Sequence, residues 1–119
     1  MTPKILRIGK DTKKNIEVAI KKNKKVFSHS VEYTKRILRE IKILKHIGDH
    51  PNVLCLLDLC PVMKDFDEVY EVFEAMDADL SLIIAQKEPC AEDTVQYFTR
   101  EILKGLKYLH SGDILHRYI

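Results

Sequence analysis

The fold is decided by two short stretches, Val18-Ala19-Ile20-Lys21 and Leu38-Arg39-Glu40-Ile41. The first alternates apolar with small or polar residues, as a β-strand does, and ends on a lysine. In the second, Glu40 is flanked by apolar residues that recur with the period of a helix. A charge beside a core is costly when it has no partner, because it loses hydration without compensation. We therefore expect Lys21 and Glu40 to form an ion pair.

The residues around these two stretches predict a strand and then a helix. Ile5 to Ile8 alternates like a short strand, and Lys10 to Lys14 is polar and turn-like. Lys22 to Lys25 is predicted to be a charged connection after the lysine strand. A helix is predicted from about Ser30, with Gly48 as its C-terminal stop. Its apolar stripe consists of Val31, Ile37, Leu38, Ile41, Leu44 and Ile47.

The second half of the chain predicts an antiparallel strand pair followed by two helices. Val53 to Leu59 is a short apolar run, Glu68 to Phe73 alternates, and the acidic loop Lys64 to Asp67 joins them. Asp79 to Ala85 is a short helix candidate, and Ala91 to His110 has the strongest helical pattern. The stripe of this long helix consists of Val95, Phe98, Ile102, Leu106 and Leu109. Together these elements predict an α+β domain with a small antiparallel sheet.

Composition indicates one small globular domain of 119 residues, 45% hydrophobic and 32% charged. No apolar run approaches the roughly 18–20 residues of a membrane span, so we expect a cytoplasmic or nuclear protein without a membrane partner. The lysines within residues 21–25 lack interleaved aromatics, which favours a solvated loop over a nucleic-acid patch. Cys55, Cys60 and Cys90 lack metal-ligand spacing and are expected to be reduced thiols.

Several strings, in order along the chain, resemble the protein kinase family. The strand lysine and the helix glutamate match the pair that family uses at ATP, and His50-Pro51-Asn52-Val53 is similar to its turn after the same helix. Two further strings resemble the segment that leads into the family's His-Arg-Asp catalytic loop: Lys107-Tyr108-Leu109-His110-Ser111 and Ile114-Leu115-His116-Arg117. Four strings narrow the resemblance to mitogen-activated protein kinases. They are Val18-Ala19-Ile20-Lys21-Lys22, Lys35-Arg36-Ile37-Leu38-Arg39-Glu40-Ile41-Lys42, Met76-Asp77-Ala78-Asp79-Leu80 and Gly105-Leu106-Lys107-Tyr108.

The resemblance implies a kinase-like N-lobe over residues 1–74, consisting of a small antiparallel sheet and one regulatory helix. A hinge over residues 74–79 and the start of a helical C-lobe over residues 80–119 follow. The implied activity is transfer of the ATP γ-phosphate to Ser/Thr of protein substrates in intracellular signalling. ATP with Mg²⁺ is the implied cofactor of the intact kinase, and an upstream kinase is an implied partner. Lys21 is expected to hold the α- and β-phosphates and Glu40 to pair with it.

The same resemblance assigns the adenine and ribose contacts. Ala19 is expected to cover the adenine, and Phe73 to be the gatekeeper at the back of the pocket. The backbone of Glu74 and Met76 is expected to hydrogen-bond the adenine edge, and Asp79 to reach the ribose hydroxyls. Unpaired backbone groups beside an apolar slot suit a flat heteroaromatic ring that carries donors and acceptors.

Three departures from the family pattern predict that this chain alone is inactive, with no certain cofactor and no metal site. No glycine-rich segment precedes the lysine strand, where Gly9 is the one glycine. Tyr118 stands at the position of the catalytic aspartate, directly after His116 and Arg117, and a phenol of pKa roughly 10 is a poor base near neutral pH. The chain ends at Ile119, before the Asp-Phe-Gly motif and the activation loop.

Ordinary structural roles are the alternatives at each position. Lys21 could be a plain strand-end lysine, Glu40 a solvent-facing helix residue and Asp79 an N-cap of the short helix. His116 is a lone histidine, and such residues are mostly structural. The stripe over residues 95–109 supports a second functional hypothesis, in which the chain is a non-catalytic, degenerate kinase fragment that acts as a partner-binding module.

Overall fold

The computed structural model describes residues 5–86 and 89–117. The chain divides into two compact units, the first comprising Met1–Gly48 with Leu54–Ala75 and the second Asp49–Val53 with Met76–Ile119. The domain boundaries drawn from the sequence stay a prediction, and each unit is described below by itself.

The first unit contains a four-stranded antiparallel sheet. Its strands are β1 (Ile5–Asp11), β2 (Ile16–Lys24), β3 (Leu56–Leu59) and β4 (Glu68–Glu74), in the spatial order β1-β2-β4-β3. Strands β2 and β4 are the two inner strands, and they pair so that Ala19 faces Phe73 and Lys21 faces Glu71. The predicted α+β class with a small antiparallel sheet is confirmed.

Strands β1 and β2 are longer than the sequence pattern predicted. Lys10 and Asp11 belong to β1. Of the charged connection predicted over Lys22 to Lys25, the residues up to Lys24 are instead the last part of β2. Cross-strand partners on β4 explain the extension: the Lys22 ammonium lies 2.6 Å from a Glu68 carboxylate oxygen, within reach of an ion pair. The predicted strand Val53 to Leu59 is shorter, because β3 begins at Leu56.

Helix α1 (Val31–Ile47) follows β2 and has the predicted ends. The Ser30 hydroxyl caps it by accepting the backbone N–H of Tyr33 at 3.2 Å, and Gly48 ends it with a φ of 73°, where glycine is favoured. The segment before the helix is tied to the start of β4. There the Asp67 carboxylate accepts the backbone N–H groups of Phe27 at 2.7 Å and Ser28 at 3.2 Å. These bonds fix where α1 begins relative to the sheet.

The core of the first unit is small and partly polar. Its buried apolar side chains are Val18, Ala19, Val26, Ile37 and Phe73. Two polar side chains, Asn23 and Glu71, are fully buried beside them. Burial of a carboxylate in so small a core requires a specific partner, which is described with the candidate site.

The second unit contains helix α2 (Leu80–Ile84) and helix α3 (Glu92–Ser111). The Asp79 carboxylate accepts the backbone N–H of Leu82 at 2.9 Å, so Asp79 is the N-cap of α2. On α3, Leu109 is buried, whereas Val95 and Ile102 of the apolar stripe are 50% and 38% exposed. Among the described residues, no helix is long and apolar enough to cross a membrane.

The turn over residues 49–53 is held against α3 at three points. The Asn52 side-chain amide donates to a Glu101 carboxylate oxygen at 2.6 Å, and the His50 ring stacks on Tyr108 with centroids 4.2 Å apart. Gly105 is buried where α3 passes the turn, and a Cβ placed there would lie 2.6 Å from the backbone oxygen of Asn52. The close approach of the turn to the helix therefore requires glycine at position 105, in the middle of α3.

We predict that Gly105→Ala destabilises α3, although alanine is ordinarily about 1 kcal/mol better than glycine inside a helix. The clash with the Asn52 backbone should outweigh that gain and lower the free energy of unfolding by about 1–3 kcal/mol. Urea denaturation followed by circular dichroism at the helix band measures it. Thr99→Ala, on the exposed side of α3, tests helix propensity alone and should change stability by no more than about 0.5 kcal/mol. A Gly105→Ala chain more stable than the parent would contradict the close approach.

We predict that acid weakens the contact between the turn over residues 49–53 and α3 through Glu101. Hydrogen bonds from Lys104 and Asn52 lower the pKa of Glu101 from 4.5 to about 2. Since the folded pKa is the lower one, the stabilisation is complete above pH 4.5 and is lost as the pH falls toward 2. The difference in melting temperature between the parent and Glu101→Gln should therefore shrink over this range. The comparison isolates Glu101, because the other carboxylates titrate in both chains and their effects cancel. A melting-temperature difference that stays constant from pH 6 to pH 2 would show that the hydrogen bonds of Glu101 with Lys104 and Asn52 do not stabilise the fold.

Candidate functional site

The ammonium of Lys21 lies between two carboxylates in the first unit. It pairs with Glu40 of α1, as the sequence predicted, and with Glu71 of β4 at 3.1 Å. Lys21 and Glu71 face each other across the sheet, while Glu40 reaches them from the helix. The Lys21 side chain is 13% exposed, so these interactions are only weakly screened by water.

Glu71 is the residue that the sequence analysis missed. It is fully buried, and its two oxygens have separate partners: one accepts from Lys21, the other from the Asn23 amide at 2.7 Å. The signal was present in strand alternation, since Glu71 lies between Val69 and Phe73 on the same face of β4. A carboxylate on an apolar strand face requires a cation opposite, and Lys21 is the cation in register with it.

The two carboxylates determine the charge of Lys21. Burial alone would lower the pKa of its ammonium, but the hydrogen bonds and charges of Glu40 and Glu71 raise that pKa above its usual value. Lys21 is therefore positively charged throughout the physiological range. One cation thus lies between two carboxylates, so acidic groups outnumber basic ones in the cluster.

Ala19 and Phe73 lie next to this cluster on the same two strands. They face each other in the β2–β4 register, and both are buried. The Lys21 ammonium is 5.9 Å from the centroid of the Phe73 ring, within range of a cation–π interaction. The structure thus brings together four of the predicted site residues, Ala19, Lys21, Glu40 and Phe73, in one unit.

The remaining predicted residues are at the end of β4 or in the second unit. Glu74 is the exposed last residue of β4, and Met76 and Asp79 belong to the second unit. The side-chain hydrogen bond from Ser81, reinforced by the backbone of Leu82, lowers the pKa of Asp79. Its N-cap role is therefore realised, while the nucleotide contacts of all three residues stay predictions.

The predicted catalytic-loop positions are at the C-terminal end of the chain. His116 and Arg117 are exposed, and Tyr118 lies outside the described residues. Within residues 5–86 and 89–117, no three His, Cys, Asp or Glu side chains are grouped so as to hold a metal ion. Cys55, Cys60 and Cys90 are free thiols.

Comparison with known proteins identifies a family. Residues 6–119 match the sequence model of the protein kinase domain. The chain is 46% identical over 109 residues to mitogen-activated protein kinase 4a of Physcomitrium patens, and 47% identical over 109 residues to mitogen-activated protein kinase 5 of Arabidopsis thaliana. Each alignment covers 90% of this chain. The chain spans 28% of the length of either relative.

We predict that Lys21→Met destabilises the first unit by about 3–5 kcal/mol, because it leaves the buried Glu71 carboxylate without its cation. Lys22→Met is the matched control. Lys22 is the next residue on the strand, points to the opposite face and pairs with the half-exposed Glu68, so its loss should cost about 0.5 kcal/mol. Urea denaturation of the three chains measures both effects. Equal losses for the two variants would show that Glu71 does not depend on Lys21.

Proposed function

Because the chain belongs to the protein kinase family, we propose that it is the ATP-binding part of a serine/threonine kinase of the mitogen-activated type. The observation that carries the proposal is the ion pair between Lys21 of β2 and Glu40 of α1. The whole protein would transfer the γ-phosphate of ATP to Ser/Thr of protein substrates, under control of an upstream kinase, in the cytoplasm or nucleus. The resemblance to the family extends to the strings that flank this pair on both sides.

The pair supports a phosphate-binding role for Lys21. In protein kinases the strand lysine contacts the nucleotide phosphates and is held by a glutamate of the following helix. Here the helix residue reaches the strand residue directly, and the charge of Lys21 is maintained by its carboxylate partners. Lys21 can therefore present a fixed positive charge, and ATP with Mg²⁺ supplies the phosphoryl group to be transferred.

The adenine side of the proposal rests on sequence resemblance together with the position of two buried residues. Ala19 is small and lies opposite Phe73, so the adenine would pack on a strand surface with a short side chain, beside the large side chain of the gatekeeper. The backbone of Glu74 and Met76 would hydrogen-bond the adenine edge, and Asp79 the ribose. Phe73 would also restrict access of inhibitors to the space behind it.

We further propose that this chain does not itself transfer phosphate. Tyr118 follows His116 and Arg117, where the family has the aspartate that accepts the substrate hydroxyl proton. A phenol is uncharged near neutral pH and cannot replace that carboxylate. ATP binding and phosphoryl transfer are thus separate properties in this proposal, and binding is the one that the Lys21 cluster supports.

A second candidate function is that of a non-catalytic partner-binding module. It is favoured by the exposure of Val95 and Ile102 on α3, which leaves apolar surface available to another protein. This function does not require a nucleotide, so a nucleotide-binding measurement separates the two candidates.

The test uses the unmodified chain. We expect ATP to protect Lys21 from an amine-acylating reagent, because phosphates would cover its ammonium. At an ATP concentration ten times its dissociation constant, acylation of Lys21 should slow about tenfold.

Lys22 is the internal control, since it lies on the opposite face of β2 and should be acylated at the same rate with and without ATP. Mass spectrometry of the peptides gives both rates from one sample. Lack of protection at millimolar ATP, in a chain that is folded by circular dichroism, would exclude the nucleotide-binding role and leave the partner-binding one.

A further inference from the structure

We infer that Glu71 determines which ligands the proposed nucleotide site prefers: its buried carboxylate holds Lys21 and weakens the binding of phosphate-bearing nucleotides relative to uncharged nucleosides. This inference rests on the proposed function and adds a residue that the sequence resemblance did not assign. Glu71 is a specificity-determining residue that acts through Lys21.

Glu71 cannot easily leave Lys21. Its side chain is fully buried, one oxygen accepts from Lys21 at 3.1 Å, and the other accepts from Asn23 at 2.7 Å. Its backbone is fixed in the β2–β4 register directly opposite Lys21. Glu40, in contrast, reaches Lys21 from a helix and has a side chain that is 31% exposed. Of the two carboxylates, Glu71 is therefore the permanent partner.

Charge decides how this arrangement affects a ligand. A phosphate that approaches Lys21 meets one positive charge and two negative ones, and one of those negative charges is buried where water screens it weakly. Repulsion from Glu71 acts on every charged phosphate oxygen near Lys21. Adenosine carries no phosphate, so its affinity should be insensitive to the Glu71 charge.

Asn23 supports the same function by holding the oxygen of Glu71 that Lys21 does not use. The Asn23 side chain is fully buried, and its own carbonyl oxygen has no hydrogen-bond partner among the described residues. A buried network with an unsatisfied acceptor is poorly optimised for stability, since apolar side chains of similar volume often stabilise a core as well or better. The burial of this polar pair therefore calls for a role in addition to folding, and its effect on Lys21 supplies one.

The experiment compares Glu71→Gln with the parent chain. Glutamine keeps the shape of the side chain and can still accept from Lys21, but it removes the negative charge. We expect the affinity for ATP to rise about tenfold while the affinity for adenosine changes less than about twofold, by isothermal titration calorimetry in buffer containing Mg²⁺. Glu68→Gln is the matched control, because it removes the same charge from the outer face of the same strand, beside Lys22. It should leave both affinities as in the parent.

Three results would overturn the inference, and they are distinguishable. If adenosine and ATP both bind but their affinity ratio is the same in Glu71→Gln as in the parent, Glu71 has no role in ligand preference, and the proposed nucleotide site stands. If none of the chains binds adenosine or ATP, the proposed function fails and this inference fails with it. A rise in ATP affinity in Glu68→Gln equal to that in Glu71→Gln would also overturn it, because the effect would then be one of net charge.

A second readout follows Lys21 itself. Without the Glu71 charge, the Lys21 ammonium should lose its proton at lower pH, so the pH profile of Lys21 acylation should shift to lower pH in Glu71→Gln. Should that variant fail to fold, the double variant Asn23→Leu/Glu71→Leu replaces the buried polar pair by apolar side chains and carries the same expectation. An unshifted profile in a folded variant would show that Glu71 does not hold Lys21.

Discussion

A buried ammonium needs a counter-charge, and in the first unit this requirement ties a strand, a helix and a second strand together. Lys21 is on an inner strand with little exposure to water, and the carboxylates beside it offset the cost of burying its charge. Glu40 brings α1 to the face of the sheet that carries Lys21, and Glu71 fixes β4 in register against β2. Two strands and a helix thus depend on one side chain. A core with few buried apolar residues has limited capacity to hold them together otherwise.

The same cluster explains why Lys21 and Lys22 behave differently although they are adjacent. Successive strand residues point to opposite faces, so Lys21 joins the buried network and Lys22 pairs with Glu68 near the solvent. Ion pairs near the surface contribute little to stability, whereas a buried carboxylate that loses its cation is strongly destabilising. A substitution of the strand lysine would therefore change folding as well as the proposed ligand binding. Without the neighbouring Lys22 variant as a control, a loss of ligand binding could not be assigned to the binding contact alone.

Local patterns predicted the elements whose causes are local. The Ser30 and Gly48 ends of α1, the Asp79 cap and the Lys21–Glu40 pair all follow from short strings and helical or strand periodicity. The features that the sequence did not predict depend on pairing across the sheet. Strand β2 continues past Lys21 because β4 supplies partners for its last residues. No pattern within Lys22 to Lys24 shows this pairing. Strand alternation places Glu71 on an apolar face, but its partners, Lys21 and Asn23, lie on another strand, and this pairing is what the sequence did not show. Gly105 likewise marks a close approach to Asn52 that helix propensity argues against.

Binding of a phosphate at Lys21 has a consequence for Glu71 that any nucleotide must meet. A phosphate that takes the ammonium for itself leaves a fully buried carboxylate with only the Asn23 amide as a partner, which is an expensive state. Glu71 therefore keeps a share of Lys21 when a phosphate binds, and the phosphate contact is weakened. Adenosine places no phosphate at Lys21, so its binding does not disturb the pair. The partly exposed carboxylate of Glu40 on α1 would by itself leave Lys21 more available to phosphate than the buried Glu71 does.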